Sequence, residues 1–364
     1  MATSAMSQHP QLDLTKTVGV ESCAECHEEI VDRWAESTHA TSFETLIKTE
    51  AARRIAEIVG IGTNEIPVNA SCVRCHYTRE FRHSAPITTE SISCESCHGP
   101  ARDWIDEHNK RSSPRSTRVA NAGALGMRHP EKIYDMAKSC FECHVVDDEQ
   151  LVNHTGHPAL SDGFELLSWY SGETAHNFMI SSGRSVKKHS SQLQSLPVDR
   201  KRMLFLTGKL LHLSQTLKVI SRATDAPVDG TGKFIILESG RPTFAVQHSI
   251  QARQIAKELQ QVQKLTAVPE IKQAIEIYET LSFKTGQAEV ISKAADEIDS
   301  LAKAFTENRR GSDYAKIDPV LSQLVPRYAG NEAKTKSDPV ANLGLDQNDV
   351  KKVTALVARI QSAE

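Results

Sequence analysis

Every cysteine in this chain belongs to one pattern. Cys-x-x-Cys-His occurs four times, as Cys23-Ala-Glu-Cys26-His27, Cys72-Val-Arg-Cys75-His76, Cys94-Glu-Ser-Cys97-His98 and Cys140-Phe-Glu-Cys143-His144, and these use all eight cysteines. The spacing is that of c-type haem attachment. Two thiols add across the two vinyl groups of a porphyrin, and the next residue reaches the iron. A zinc knuckle or a redox dithiol also uses Cys-x-x-Cys, but neither requires histidine as the very next residue. Two zinc sites built from the four pairs would leave four identically placed histidines unexplained. The pattern therefore predicts four covalently bound c-type haems, with His27, His76, His98 and His144 as proximal iron ligands.

Composition agrees with a core made partly of cofactor. The 364 residues contain only 5% aromatics. Four porphyrins, each a large flat apolar body, supply burial that aromatic side chains otherwise provide. A net charge of −3 gives no global drive toward nucleic acid. No stretch approaches the roughly 20 apolar residues of a membrane span. The opening segment is polar and contains no apolar leader. Because c-type haem is normally attached after export, a periplasmic or otherwise extracytoplasmic location is expected, with a leader or anchor lost from the start. No disulfides are expected, since all eight thiols become thioethers.

The expected fold is mainly α: a multihaem cytochrome c domain with a haem-filled core, followed by an α-helical bundle-like domain. The boundaries read as an N-terminal extension over 1–19, the haem domain over 20–182, a helical domain over 183–308, and an extended arm with a terminal helix over 309–364. Motif spacings of 49, 22 and 46 residues are too uneven for a solenoid. Beyond residue 200 the periodicity is helical. Leu204, Leu210, Leu211, Leu213 and Leu217 form one broad stripe. Ile255, Leu259 and Val262 mark a second helix, and Ile271, Ile275, Tyr278 and Leu281 a third with Pro269 in its first turn. Ile291, Ala294, Ile298, Leu301 and Phe305 mark a fourth, and Val350, Val353, Leu356, Val357 and Ile360 the last. The run Phe234-Ile235-Ile236-Leu237 between turn signals suggests a short strand. No GxGxxG, P-loop or HExxH motif occurs in the helical half, so packing on the haem domain or formation of a homo-oligomer is its plain expectation.

The second axial ligand decides the chemistry, because two histidines give a saturated iron suited to electron transfer and one leaves a face open. Fifteen histidines are present, so eleven remain for at most four distal places. His27 and His39 are 12 residues apart along an expected helix, a rise of about 18 Å. His39 would then serve a haem other than the one held by His27. Trp34, Trp104 and Trp169 are expected to pack on porphyrin faces, with an electron stepping-stone role not required. From His108 to Pro130 there is no acid, while Lys110, Arg111, Arg115, Arg118 and Arg128 are basic. A solvated loop is the plain reading; counter-charges for propionates and a docking patch for an acidic partner are the alternatives.

In order, ESCAECHEEIVDRWAESTHA, SCVRCH, ISCESCHGPARDWIDEH and SCFECH resemble the tetrahaem cytochrome c-554 family, whose best-known member carries electrons in bacterial ammonia oxidation. The likeness covers about residues 20–180 and is sharpest at WAESTHA and CESCHGP; it does not extend through the C-terminal half. It implies three haems with two histidines and one with an open face. Carried over by motif, His39 stands opposite His98 and His108 opposite His144. A histidine beyond the fourth motif stands opposite His27: His157, with His154 and His176 as rivals. The haem on His76 is then the open one, unless His83 or His129 ligates it. His189, His212 and His248 are not expected to be ligands. The functional expectation is electron transfer between redox partner proteins. The rivals are an oxidoreductase acting on a small nitrogen compound (nitric oxide, nitrite or hydroxylamine) at the open haem, and an assembly protein whose helices do the joining.

Overall fold

The computed structural model of the chain describes residues 13–82, 85–159, 164–172, 196–324 and 347–361. It is mainly helical, as expected, and contains one two-stranded sheet among the described residues. Two compact units emerge: one holds the chain up to Cys143 with His154–Gly156, the other His144–Asn153, His157–Gly172 and the chain from Ser195 on. The division passes through the fourth motif rather than through the polar stretch near residue 183. Residues 144–153 and 157–172, grouped by sequence with the cysteine motifs, lie in the second unit.

The first unit is a set of short helices: α1 (Val20–Ala35), α2 (Thr38–Thr45), α3 (Glu50–Val59), α4 (Ala70–His76), α5 (Cys94–His98), α6 (Ile105–His108) and α7 (Arg115–Ala124). Most of α8 (Ile133–His144) belongs here too. Polar caps define several of them. The Ser37 side chain accepts from Ala40 N, Thr49 from Ala52 N and Asn69 from Ser71 N. The unit's apolar clusters are small. One gathers Ala52, Ala56, Ile66 and Tyr77, the other Ala101, Trp104 and Ala122. Among the described residues, side chains alone give this unit a thin core, in keeping with the haem-filled core expected from the sequence.

Two features differ from the sequence reading. The segment from His27 to His39 is not one helix. Helix α1 leaves helical geometry at His27 (φ −122°, ψ 35°) and stops at Ala35, and α2 restarts under the Ser37 cap. A single straight rise between the two histidines therefore does not apply. Directly after the second motif, β1 (Thr78–Arg82) and β2 (Ala85–Glu90) form an antiparallel hairpin that residue patterning did not announce. Its buried positions, Thr78 and Glu80, are polar, while its large apolar residues Phe81 and Ile87 are exposed, so no inward apolar alternation marks it in the sequence.

The second unit is built on α10 (Val198–Ile220), preceded by α9 (Leu166–Gly172). Buried positions run all round α10, from Arg202 and Met203 to Val219 and Ile220. It is a central helix rather than the one-sided amphipathic helix that a leucine stripe suggests. Around it pack α11 (Phe244–Leu265) and α13 (Ala288–Asn308), and α12 (Pro269–Glu279) packs on both. Most apolar positions expected in these helices are buried: Ile255, Leu259, Val262, Ile271, Ile275, Ile291, Ala294, Ile298 and Phe305; Tyr278 and Leu301 are half-buried, and Leu281 falls beyond the end of α12. The terminal helix α15 (Gln347–Gln361) lies on α11 through Val353, Leu356, Val357 and Ile360. No strand forms at Phe234–Leu237; two isolated bridges, Val228 to Phe234 and Ile236 to Pro242, hold that loop.

Residues 311–323, expected in an extended arm, are instead a 3-10 segment (Gly311–Ile317) running into α14 (Asp318–Gln323). Tyr314, Ile317 and Val320 are buried. The charges that suggested a solvated arm are partly consumed internally. Arg202 donates to both carboxylate oxygens of Asp318, at 2.7 and 2.6 Å, and to Asp199 at 2.7 Å. Gly311 lies against α10, where an added Cβ would fall 2.1 Å from the Asp199 carbonyl oxygen. Backbone, unlike a flexible side chain, cannot yield there. Gly311→Ala is expected to destabilise the second unit by roughly 1–3 kcal/mol through overpacking, seen as a lower denaturation midpoint with unchanged haem absorbance.

The interior of this unit also holds polar groups. Lys209 on α10 donates to Glu258 on α11 at 2.7 Å, each side chain 5% exposed. Burial pushes His212 down to about 3 and His248 down to about 4, so both are neutral at physiological pH. The His248 Nε2 engages the Val146 carbonyl at 2.9 Å. Among the described residues no helix is long and apolar enough to cross a membrane.

Candidate haem-attachment site

Each Cys-x-x-Cys-His segment occupies a helical turn that breaks at its histidine. Helices α4, α5 and α8 end at His76, His98 and His144, and α1 kinks at His27. Two cysteines at i and i+3 on a helical turn point to the same side. All eight cysteines are free thiols. Those of different motifs adjoin. Cys23 lies within hydrogen-bonding reach of Cys94, and Cys75 within reach of Cys143. Cys140 is close enough to Cys97 for their charges to interact. The first motif is thus beside the third, the third beside the fourth, and the fourth beside the second.

The environments suit thioethers better than metal thiolates. Cys97 and Cys140 are pushed up chiefly by burial. Cys94 and Cys143 are pushed up by sharing a hydrogen bond with the neighbouring thiol and by burial. Zinc needs the deprotonated thiolate, and burial opposes it at Cys97 and Cys140 by more than the nearby Arg128 guanidinium favours it. Among the described residues no group of three or more His, Cys, Asp or Glu side chains is gathered to hold a metal ion.

Several of the histidines hold one ring nitrogen on a backbone carbonyl. A ligating imidazole places one ring nitrogen on a carbonyl, which fixes the tautomer and frees the other. His98 has Nδ1 3.0 Å from the Arg128 carbonyl oxygen, and His157 has Nδ1 2.8 Å from that of Pro158. The His108 Nδ1 bonds to the Ile105 carbonyl. In each the Nε2 is turned away from that bond. Burial lowers His27 and His98 from the usual imidazole range and keeps them neutral, the ligating form.

One pairing departs from the arrangement that the family likeness implies. The His108 ring faces His27, with centroids 6.2 Å apart and planes at 33°. Two imidazoles on opposite sides of one metal, each nitrogen about 2 Å from it, have centres about 6 Å apart. The edge of Trp104 steadies His108, centroid to centroid 5.3 Å at 88°. His39 lies in the first turn of α2, and its carbonyl accepts from Ile92 N, 3.1 Å away and just before the third motif. His157 falls in the second unit while His27 falls in the first. His154 is exposed at the end of a π-type turn, Leu151–Thr155. His83, His176 and His189 lie outside the described residues. His129 receives the Glu131 N–H at 3.2 Å. Around the fourth motif's histidine, Phe164 stacks on His144 at 4.1 Å and 9°, and Trp169 meets it edge-on at 5.1 Å.

The basic run from 108 to 130 is largely occupied in structural bonds. Arg128 donates to the carbonyls of Cys97 and Ser96, both at 2.6 Å, and its own N–H donates to the His98 carbonyl at 2.8 Å. Arg118 reaches the His108 carbonyl at 3.2 Å. Arg115 pairs with Glu131 and Lys110 with Glu107. Arg128 thus caps the helix that carries the third motif, a role that a count of basic residues does not reveal. Beside it Gly99 adopts φ +88°, and a Cβ there would fall 2.6 Å from the Gly126 carbonyl oxygen. The Trp34 indole donates to the Ile92 carbonyl at 2.8 Å, so this tryptophan ties α1 to the segment before the third motif.

Residues 22–99, which hold three of the four motifs, match the family described as cytochrome c554 and c-prime. Cytochrome c-554 of Nitrosomonas europaea is 25% identical over 137 residues, which are 35% of this chain and 57% of that protein. The chain therefore spans little more than half the length of that curated relative. No solved structure matches. Over this segment the chain is related to the cytochrome c554 family, and the relationship supports covalently bound c-type haem.

Proposed function

We propose that the chain is a tetrahaem c-type cytochrome that passes electrons between redox partner proteins outside the cytoplasm. The observation that carries this reading is the adjacency of cysteines from different motifs. It supports a continuous array in the order first, third, fourth, second. Electron carriage needs neither an acid–base pair nor bond breaking in a substrate; it needs axial ligands, burial and orientation, which set each potential. The protein supplies Cys23, Cys26, Cys72, Cys75, Cys94, Cys97, Cys140 and Cys143 for attachment, and His27, His76, His98 and His144 as proximal ligands. For the first haem, His108 is the distal ligand that the geometry favours. His39 remains the proposed partner of His98. His157, freed from His27, shares the second unit with His144 and is proposed for that haem. The haem on His76 is proposed to keep an open face.

Electron paramagnetic resonance of the oxidised, fully loaded protein tests both the count and the ligation. One high-spin iron beside three low-spin irons is expected, and four low-spin irons would remove the open site. His108→Ala is expected to convert one low-spin haem to high spin. In a Cys23→Ser/Cys26→Ser background, which lacks the first haem, the same change should add no new high-spin signal. If it still does, His108 serves another haem.

A further inference from the structure

Three carboxylates are gathered behind the first and third motifs. Glu95 lies between the two cysteines of the third motif and is 1% exposed. Its oxygens accept from Val18 N, Gly19 N and Ala101 N, at 2.7 to 3.1 Å. Glu90, the last residue of β2, accepts from Val20 N at 3.1 Å through Oε1. The two acids together receive the free N–H groups where α1 begins, a favourable place for negative charge. Glu80 on β1, 4% exposed, approaches closely enough to act on both.

The three are not equally satisfied. Glu95 has three backbone donors, which compensate its charge. Glu90 has one, and its Oε2 is buried with no hydrogen-bond partner among the described residues. The Ser93 hydroxyl, on a residue 3% exposed, lies close enough to the Glu90 carboxylate to stabilise its charge slightly, but not in full hydrogen-bond geometry. A buried carboxylate oxygen left in this state costs far more ionised than protonated. The titratable groups facing Glu90 are Glu80 from β1, Glu95 and Cys94 from α5, and Cys23 from α1. None of these is a cation.

We infer that Glu90 is a proton-binding site tied to the oxidation state of the haems on the first and third motifs, so that the protein moves a proton together with an electron. This rests on haem occupying those two motifs. A one-electron donor protein delivers an electron, which reduces an iron there. Glu90 takes one proton from solvent, and the added negative charge is cancelled close by. On reoxidation the electron leaves to an acceptor protein and the proton returns to solvent.

The sign follows from linkage. Burial first, then Glu80 and Glu95, hold the Glu90 carboxyl above the usual carboxylate range, against the pull of the Val20 N–H and, more weakly, of the Ser93 hydroxyl. An extra electron nearby raises its proton affinity further. By reciprocity the bound proton favours the reduced iron. The midpoint potential of the affected haems therefore falls as pH rises between the proton affinities of the oxidised and reduced states, and is level on either side.

Spectroelectrochemical titration of the holoprotein across pH, beside Glu90→Gln, tests this. Haem loading is measured first by pyridine haemochrome and intact mass. In the unmodified protein the midpoints of one haem pair are expected to fall with rising pH; in Glu90→Gln that dependence should vanish at unchanged loading. Redox-difference infrared spectroscopy of the unmodified protein needs no variant: reduction should bring up the carbonyl band of a protonated, buried carboxylic acid. A colourless protein would overturn the cytochrome reading and this one with it. A loaded protein whose Glu90→Gln variant keeps the full pH dependence, or which shows no such band, would overturn the proton site alone.

Discussion

Removing the third haem by Cys94→Ser/Cys97→Ser should disconnect the array, whereas removing the second by Cys72→Ser/Cys75→Ser should only shorten it. Both variants are expected to lose one quarter of the haem absorbance and the mass of one macrocycle. Their electron flow should differ. Cys94 adjoins Cys23 and Cys97 approaches Cys140, so the third motif stands between the first and the fourth. Among the described cysteines, the second motif meets the array through Cys75 and Cys143, at one end. After rapid partial photoreduction, electron equilibration among the three remaining haems should slow by orders of magnitude without the third haem. It should stay near the parent rate without the second. Equal rates in the two variants would reject the proposed order. The third-motif variant should also be the less stable. Its helix is secured by Arg128, by the Glu95 contacts to the start of α1 and by the Gly99 turn, so its loss loosens several elements at once. Comparing the two variants at a temperature where both remain folded separates wiring from stability.

What was legible in the chain divides along physical lines. The attachment motifs are local and covalent, so Cys-x-x-Cys-His announces itself wherever it lies. The helices after residue 200 were legible because burying a stripe of Leu and Ile requires a 3.6-residue period. Phe305 and Ile298 are buried where that period puts them. Long-range pairings were not legible. Nothing near His108 in the sequence says that its ring faces His27, 81 residues earlier. Family likeness suggested that both are ligands but implied a different pairing. The carboxylates were hidden for a similar reason. Glu95 sits inside a motif whose intervening residues are free to vary, and its role comes from distant N–H groups at Val18, Gly19 and Ala101. Charge composition misled at both ends of the chain. Arg128 is a helix cap within a run that suggested a loop or a docking patch, and Arg202 with Asp318 anchors a segment that suggested an arm.

Lys209→Met alone should cost the second unit about 3–5 kcal/mol, the usual price of stranding one member of a buried ion pair. Glu258 would be left with a side chain only 5% exposed and the Gln254 amide donating to it at 3.2 Å. Neither a long-range cation nor water replaces an ammonium at 2.7 Å in such a place. Lys209 also lies over the Phe205 ring, 5.4 Å from its centre, so its stem packs on apolar surface that methionine can still cover. The loss is therefore one of charge rather than volume. That separates two explanations which a single variant confounds. In Lys209→Met/Glu258→Leu no charge remains to be stranded, and stability should return to near the parent value or rise above it by up to about 4 kcal/mol. Urea denaturation of the full chain, followed by far-ultraviolet circular dichroism, gives both values; haem absorbance reports whether the first unit is undisturbed. A double variant as unstable as the single one would mean that the pair is held for packing, and that its ionic character contributes little to the bundle.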